Sequence, residues 1–265
     1  MALDTKLLLI ILDGVPYRNW RRLMGNLEGW VQSGEARVWK MRSVLPSTSA
    51  CCYASIHTGV SPQVHGILSN ENRFRVKQPD VFSEVSKAGG KTGAVTHSYW
   101  SEFFRSYPFD LVEDMEYDEP GGPITHGRFH TMTGYNLRNQ MTPSDVDLFA
   151  TLTMLTRRHG IDYGILHTVA PRQHRQRRHG IDYGILHTCT LDSMGHRFGH
   201  DCHEMDHACY AMDGMLAAFL PGWIEAGYEI MVTADHGQTD RGHHGGHDDE
   251  MQDFALYYLG AGKGP

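Results

Sequence analysis

The stretch Leu7-Leu8-Leu9-Ile10-Ile11-Leu12-Asp13-Gly14 decides the fold. Its six apolar residues do not alternate with polar ones, so it reads as a strand buried on both faces, as in a parallel sheet covered by helices. The run ends on a carboxylate and a glycine. The same order returns in Ile230-Met231-Val232-Thr233-Ala234-Asp235-His236-Gly237, and more loosely in 183–192, where the apolar segment is followed after a few residues by Asp192. Working outward, strands are predicted at 6–12, 35–40, 92–96, 181–187 and 228–234. Helices are predicted at 20–32, 50–58, 80–88, 144–157 and 203–220, with Asp80 and Ser144 as N-caps and Gly89-Gly90 as a stop. Strands alternating with helices give an α/β fold with a mostly parallel central sheet and helices on both faces. Ligands of such sheets gather at the carboxyl ends of the strands. Asp13, Asp192 and Asp235 all fall there, which argues for one shared site.

The residues around these acids extend the pattern. Asp192 and His196 stand in LDSMGH, Asp235 and His236 in TADHG, and His244 in HHGGH. A hydroxyl-rich turn, Leu45-Pro46-Ser47-Thr48-Ser49, precedes a helical run that ends at Gly59. Carboxylates and imidazoles in this number suit a pair of divalent cations, and a hydroxyl beside them suits a nucleophile activated by the cation charge. A hydroxyl at a helix start also sits among free N–H groups that favour an anion. A serine there is equally a common helix cap, and Ser47, Thr48 and Ser49 compete for the role. His200, His203 and His207 read as a polar helix face, Asp248-Asp249-Glu250 as a solvated turn, and Cys51 and Cys52 as small helix residues.

The chain of 265 residues reads as a single domain over 1–265, with an irregular Gly- and Pro-rich insert at 113–143 lying over the site. A net charge of −7 does not suggest a nucleic-acid surface. Five cysteines, two of them adjacent, do not form a disulfide framework and point to a reducing compartment. No cleavage site follows the N-terminal apolar run and no run reaches transmembrane length, so a cytoplasmic location without membrane contact is expected. RRHGIDYGILHT occurs identically at 157–168 and 177–188. Only the second copy leads into Asp192 and His196, so the second copy is expected to be the working strand.

In these motifs the chain resembles the alkaline phosphatase superfamily, in its type I phosphodiesterase/nucleotide pyrophosphatase branch, which includes phosphonoacetate hydrolase-like enzymes. The resemblance rests on DG at 13–14, the P-S-x-[ST] turn ending at Ser49, TG-x-x-P-x-x-HGI at 58–67, D-x-x-x-H at 192–196, DHG at 235–237 and G-x-HG at 242–245. It implies an alkaline phosphatase-like fold and a hydrolase that cleaves phosphodiester or nucleotide pyrophosphate bonds of a small phosphorylated substrate through a phosphoserine. In this family the nucleophile lies ten residues before the glycine of the TG motif, which gives Ser49 here. The phosphate-binding Asn corresponds to Asn70. The resemblance implies two divalent cations, zinc or alternatively manganese. Asp192, His196 and His244 would hold one; Asp13, Asp235, His236 and the Ser49 oxygen would hold the other. His244 is preferred over His247 because a glycine follows it directly.

This chain departs from the family where Cys51, Cys52 and Tyr53 replace a Pro and an Asn or His, and it stops soon after the strand-like FALYYLG, where relatives usually continue, so the C-terminus is expected to be truncated. A preference for diesters over monoesters is expected, with Tyr117, Phe129 and Tyr135 of the insert contacting the second substituent. The alternatives are a phosphonatase or phosphomonoesterase on the same ligands, and a non-catalytic metal-binding remnant. The sequence leaves the oligomeric state open.

Overall fold

The computed structural model describes residues 5–134, 136–157 and 180–260. The chain runs β1 (Lys6–Leu12), α1 (Tyr17–Leu23), α2 (Gly25–Ser33), β2 (Ala36–Arg42), α3 (Ser49–Thr58), α4 (Pro62–His65), α5 (Val81–Lys87), β3 (Thr92–His97), α6 (Tyr99–Phe104), β4 (Glu116–Asp118), β5 (His126–His130), a 3-10 turn at Leu137–Asn139, α7 (Asp145–Arg157), β6 (Tyr183–Thr188), α8 (Thr190–Phe198), α9 (His203–Glu225), β7 (Tyr228–Thr233), α10 (Asp249–Gln252) and β8 (Asp253–Leu259). The strands form one sheet in the order β2-β8-β7-β1-β6-β3-β5-β4. Its centre is parallel: β1 pairs with β6 and β7, and β3 with β6 and β5. Its edges are antiparallel, through β2 with β8, β8 with β7, and β4 with β5.

The unbroken apolar run of β1 is explained by two cores, one on each face. Successive side chains of a strand point to opposite faces. Leu8, Ile10 and Leu12 pack with Trp20 of α1, Leu27 of α2, Phe149 of α7 and Leu216 and Trp223 of α9. Leu9 and Ile11 pack on the other side with Tyr53 of α3, Phe82 of α5 and Trp100 and Phe103 of α6. Nothing on either face is left for a polar residue until the strand ends at Asp13.

Several elements differ from the sequence reading. The helix expected at 20–32 is two helices, interrupted at Met24 (φ −91°, ψ 66°) before Gly25, a residue that propagates helix poorly. Part of the expected irregular insert is strand: β5 extends the sheet beside β3, and β4 closes that edge. Asp80 caps α5 as expected, its side chain accepting from the Ser83 N–H. The strand ahead of Asp192 is β6, from the second copy of the repeat. The first copy, apart from Arg157, lies outside the described residues. No described helix is long and apolar enough to cross a membrane.

Candidate metal and phosphate site

The sheet brings the predicted acids together at the carboxyl ends of its central strands. Asp13 follows β1 and Asp235 follows β7, and these strands are neighbours. β6 flanks β1 on its other side, and Asp192 lies in the first turn of α8, which follows it. Asp13, Asp192, Asp235 and His236 are all buried. Gly14 makes the approach possible. Its φ is +72°, and a Cβ there would lie 2.6 Å from Asp192 Oδ1, so only glycine fits behind Asp13.

Two groups of donor atoms result, each with its atoms within 4.8 Å of one another: Asp192 with His196 and His244, and Asp13 with Asp192 and His236. The first is the set expected from the sequence. In the second, Asp192 stands between both groups, while Asp235 is placed to one side. Asp235 Oδ1 accepts from the Gly14 N–H at 3.2 Å, and Oδ2 lies 3.3 Å from His236 Nε2. His244 belongs to the first group, while His247 is exposed and in neither.

The imidazoles are preset. His236 Nδ1 donates to the Gly237 carbonyl at 3.0 Å and His244 Nδ1 to the Ser47 carbonyl at 3.1 Å. These bonds assign the proton to Nδ1 and leave each Nε2 bare toward the carboxylates. Burial, then His244, pushes His236 down to about 4, so its ring is neutral at neutral pH. His196 shifts upward: burial opposes the charge, but the hydrogen bond and charge of Asp192, 3.3 Å away, outweigh it. Burial would raise the Asp13 carboxyl, yet hydrogen bonding from His187 and the neighbouring imidazole charges hold it below the usual range. Asp235 is pushed well above that range by burial and by the Asp13 charge. Asp13 Oδ1 and Asp235 Oδ2 are buried without a hydrogen-bond donor. Two buried carboxyls repel each other's ionisation, and bare imidazole nitrogens face the same space. A divalent cation fits this donor set and would let both carboxylates ionise.

Ser49 is the first residue of α3 and its Oγ lies 3.2 Å from His236 Nε2. Thr48 Oγ1 instead donates to Cys51 Sγ, and Ser47 Oγ donates to the Gly246 carbonyl and accepts from the Gly245 N–H. Of the three hydroxyls in the turn, Ser49 is the one seen beside the cluster. Asn70 Oδ1 accepts from the Ala50 N–H at 3.0 Å, which fixes the carboxamide against the start of α3.

Sequence reasoning missed the residues that hold the acids. Tyr53, on the second turn of α3, donates its hydroxyl to Asp13 and lies 2.8 Å from His187 Nε2. Gln238 donates to Asp192, and its Oε1 meets His200 Nε2 at 2.6 Å; His200 Nδ1 in turn meets Asn19 Nδ2 at 3.1 Å. His200 is therefore interior, unlike the exposed His203 and His207 with which the sequence grouped it. His187 carried a readable signal, because it lies near the carboxyl end of a central strand, as Asp13 does. The aromatic contacts expected from the insert are also revised. Tyr117 and Phe129 stack on each other with centroids 5.7 Å apart and pack into the second core. Tyr135 lies outside the described residues. The insert contributes instead Met132, Thr133 and Gln140, which with His97 and Tyr99 line a cavity of about 460 Å³. Gln140 contacts Ser193, next to Asp192, at 3.2 Å.

The profile of the family described as type I phosphodiesterase/nucleotide pyrophosphatase matches residues 7–258. The chain belongs to this family. Its membership places it in the alkaline phosphatase superfamily and accounts for the shared order of motifs and acids. No curated protein matches the chain in sequence. Among solved structures, murine ectonucleotide pyrophosphatase/phosphodiesterase 5 is similar with a TM-score of 0.60 and 16% identity, over 89% of this chain and 58% of that one. Phosphonoacetate hydrolase from Sinorhizobium meliloti 1021 is similar with a TM-score of 0.52 and 20% identity, over 88% and 56%. The C-terminal periplasmic domain of EptC from Escherichia coli gives a TM-score of 0.58 and 12% identity, over 97% and 73%. The chain thus spans less than two thirds of the first two, and the likeness is one of fold.

Proposed function

We propose that the protein is a two-metal hydrolase of phosphate esters that cleaves phosphodiester or nucleotide pyrophosphate bonds through a phosphoserine at Ser49. The observation that carries this reading is the position of Ser49 Oγ, at a helix start and 3.2 Å from an imidazole nitrogen of the carboxylate cluster. Asp192, His196 and His244 would hold one cation; Asp13, Asp235 and His236, with the Ser49 oxygen, would hold the other. Bound divalent cations, zinc foremost, would lower the pKa of the serine hydroxyl and offset charge on the phosphoryl oxygens. The solved structures of similar fold include the EptC domain in complex with Zn and an inactive form of the murine protein in complex with AMP.

The chain's own contribution is placement. Ser49 Oγ attacks phosphorus in line; the Oγ–P bond forms as the bond to the leaving oxygen breaks. The Ala50 N–H is spent on the Asn70 oxygen and the Cys52 N–H on the Thr48 carbonyl, so the Ser49 N–H and the Asn70 amide N–H groups are left to donate to phosphoryl oxygens. Water then displaces Ser49 from phosphorus and restores the hydroxyl.

Arg73 favours a diester over a monoester. It is the cation closest in sequence to Asn70, but its Nε is paired with Glu102 at 2.6 Å and its guanidinium lies over the Tyr99 ring at 4.4 Å. It is thus not a free clamp for the extra charge of a monoester. The cavity beside Tyr99 and Gln140 gives room for a second substituent. The test is turnover with added zinc. Ser49→Ala should lower kcat/KM for bis-p-nitrophenyl phosphate by about 10³-fold or more, Thr48→Ala only several-fold, and the wild type should prefer this diester to p-nitrophenyl phosphate. A dead Thr48→Ala beside an active Ser49→Ala would move the nucleophile by one residue, and a preference for the monoester would overturn the diesterase reading.

A further inference from the structure

A third donor cluster lies behind Asp13. His130 ends β5, His187 lies at the end of β6, and Cys189 follows β6. One nitrogen of each imidazole and the Cys189 sulfur lie within 4.8 Å of one another, and all three residues are buried. His187 turns its Nε2 to Asp13 Oδ2 at 3.1 Å and its Nδ1 to Cys189 Sγ at 3.8 Å. With its Nε2–H donated to the carboxylate, Nδ1 is left bare on the thiol side. A carboxylate behind a histidine is the arrangement that orients imidazoles toward a metal. His130 supplies an independent observation. It is 7% exposed, yet neither of its ring nitrogens has a hydrogen-bond partner. Its ring lies parallel to that of His187, within 2° and with centroids 6.5 Å apart. A buried imidazole with two unmet nitrogens carries a desolvation cost that a ligand would remove.

We propose that His130, His187 and Cys189 form a third cation site, one for a thiophilic divalent ion such as zinc, joined to Asp13 through the His187 ring. Two imidazoles and a thiolate are a donor set that zinc accepts and that magnesium or calcium does not. Binding takes Cys189 as the thiolate and releases the thiol proton to solvent. The cavity lined by His97 and Thr131 adjoins His130, whose ring is 5.8 Å from that of His97, and offers the ion an approach. The site shares no donor with the cluster around Ser49.

The test is titration of the metal-free full-length chain with Co²⁺. The donors around Ser49 are oxygen and nitrogen only, so a thiolate-to-cobalt charge-transfer band reports this cluster. The expected result is a saturable band with the intensity of a single thiolate ligand per chain, which is abolished by Cys189→Ser, survives Cys52→Ser, and in His130→Ala needs roughly tenfold more Co²⁺ or beyond. Circular dichroism reports whether each variant is folded. Should Cys189→Ser not fold, His130→Ala, which keeps the thiol, decides on its own. No band in the wild type, a band surviving in Cys189→Ser, or an unchanged affinity in His130→Ala would overturn the proposal.

Discussion

At the scale of single residues, the acids of the site are held by buried side chains behind them. Gln238 is fully buried between His200 and Asp192, and Asp192 is the carboxylate that stands between the two donor groups. Gln238→Ala should therefore weaken zinc binding by roughly 10–100-fold, the usual cost of losing a partner behind a metal ligand. Competition with a chromogenic chelator measures this directly. Zinc affinity unchanged in a folded Gln238→Ala would show that Asp192 is held without it. The carboxylates and imidazoles that the fold brings together were legible because each motif carries its acid and histidine at a fixed spacing. Gln238, His200, Asn19 and Tyr53 were not, because they act on residues brought close only by the fold; Asn19 and His200 stand 181 positions apart. Tyr53 looked like a departure from a family pattern, and its hydroxyl proves to sit on Asp13.

At the scale of elements, an unbroken apolar run announced β1, whereas β3 and β6 carry threonine, histidine and glycine among shorter apolar stretches although every residue of both is buried. The edge was harder to read. β5, His126–His130, has a glycine and polar residues in place of an apolar run, and its strand state comes from pairing with β3. The duplicated segment makes a prediction at this scale. Deleting 157–176 joins Thr156 to Arg177, and Arg177 is the same residue type as the Arg157 that ends α7. In the fold Gly180 already lies against α7, since a Cβ on it would be 2.5 Å from the Thr156 carbonyl. The shortened chain can therefore pass from α7 into β6 without moving either. It should fold with a melting temperature equal to or above that of the full chain, because it has fewer residues to order. A large fall in melting temperature would show that the first copy is part of the core.

At the scale of the whole molecule, buried histidines tie stability to pH. Burial pushes His57 down to about 3, with its Nε2 2.7 Å from the Tyr183 hydroxyl. Burial, then the His187 charge, also pushes His97 down to about 3. Both start from 6.5 in the unfolded chain. Below that pH the unfolded chain takes up protons that the folded chain refuses. Each histidine then removes about 1.4 kcal/mol of stability per pH unit until its folded pKa is reached. Denaturant midpoints should accordingly fall steadily from pH 7 to pH 4.5, and His57→Gln should show a shallower slope, whatever its stability at pH 7. An equal slope in that variant would mean that His57 is protonated in the fold.

The central claim, a serine nucleophile within a two-metal phosphoester hydrolase, is tested most directly by trapping what forms on the chain. Zinc-loaded protein turning over bis-p-nitrophenyl phosphate is quenched in acid, digested and mapped by mass spectrometry. The expected product is a nitrophenylphosphoryl group on Ser49 and none on any peptide of Ser49→Ala; an adduct on Thr48 or elsewhere, or undiminished turnover in Ser49→Ala, would contradict a serine nucleophile at this position.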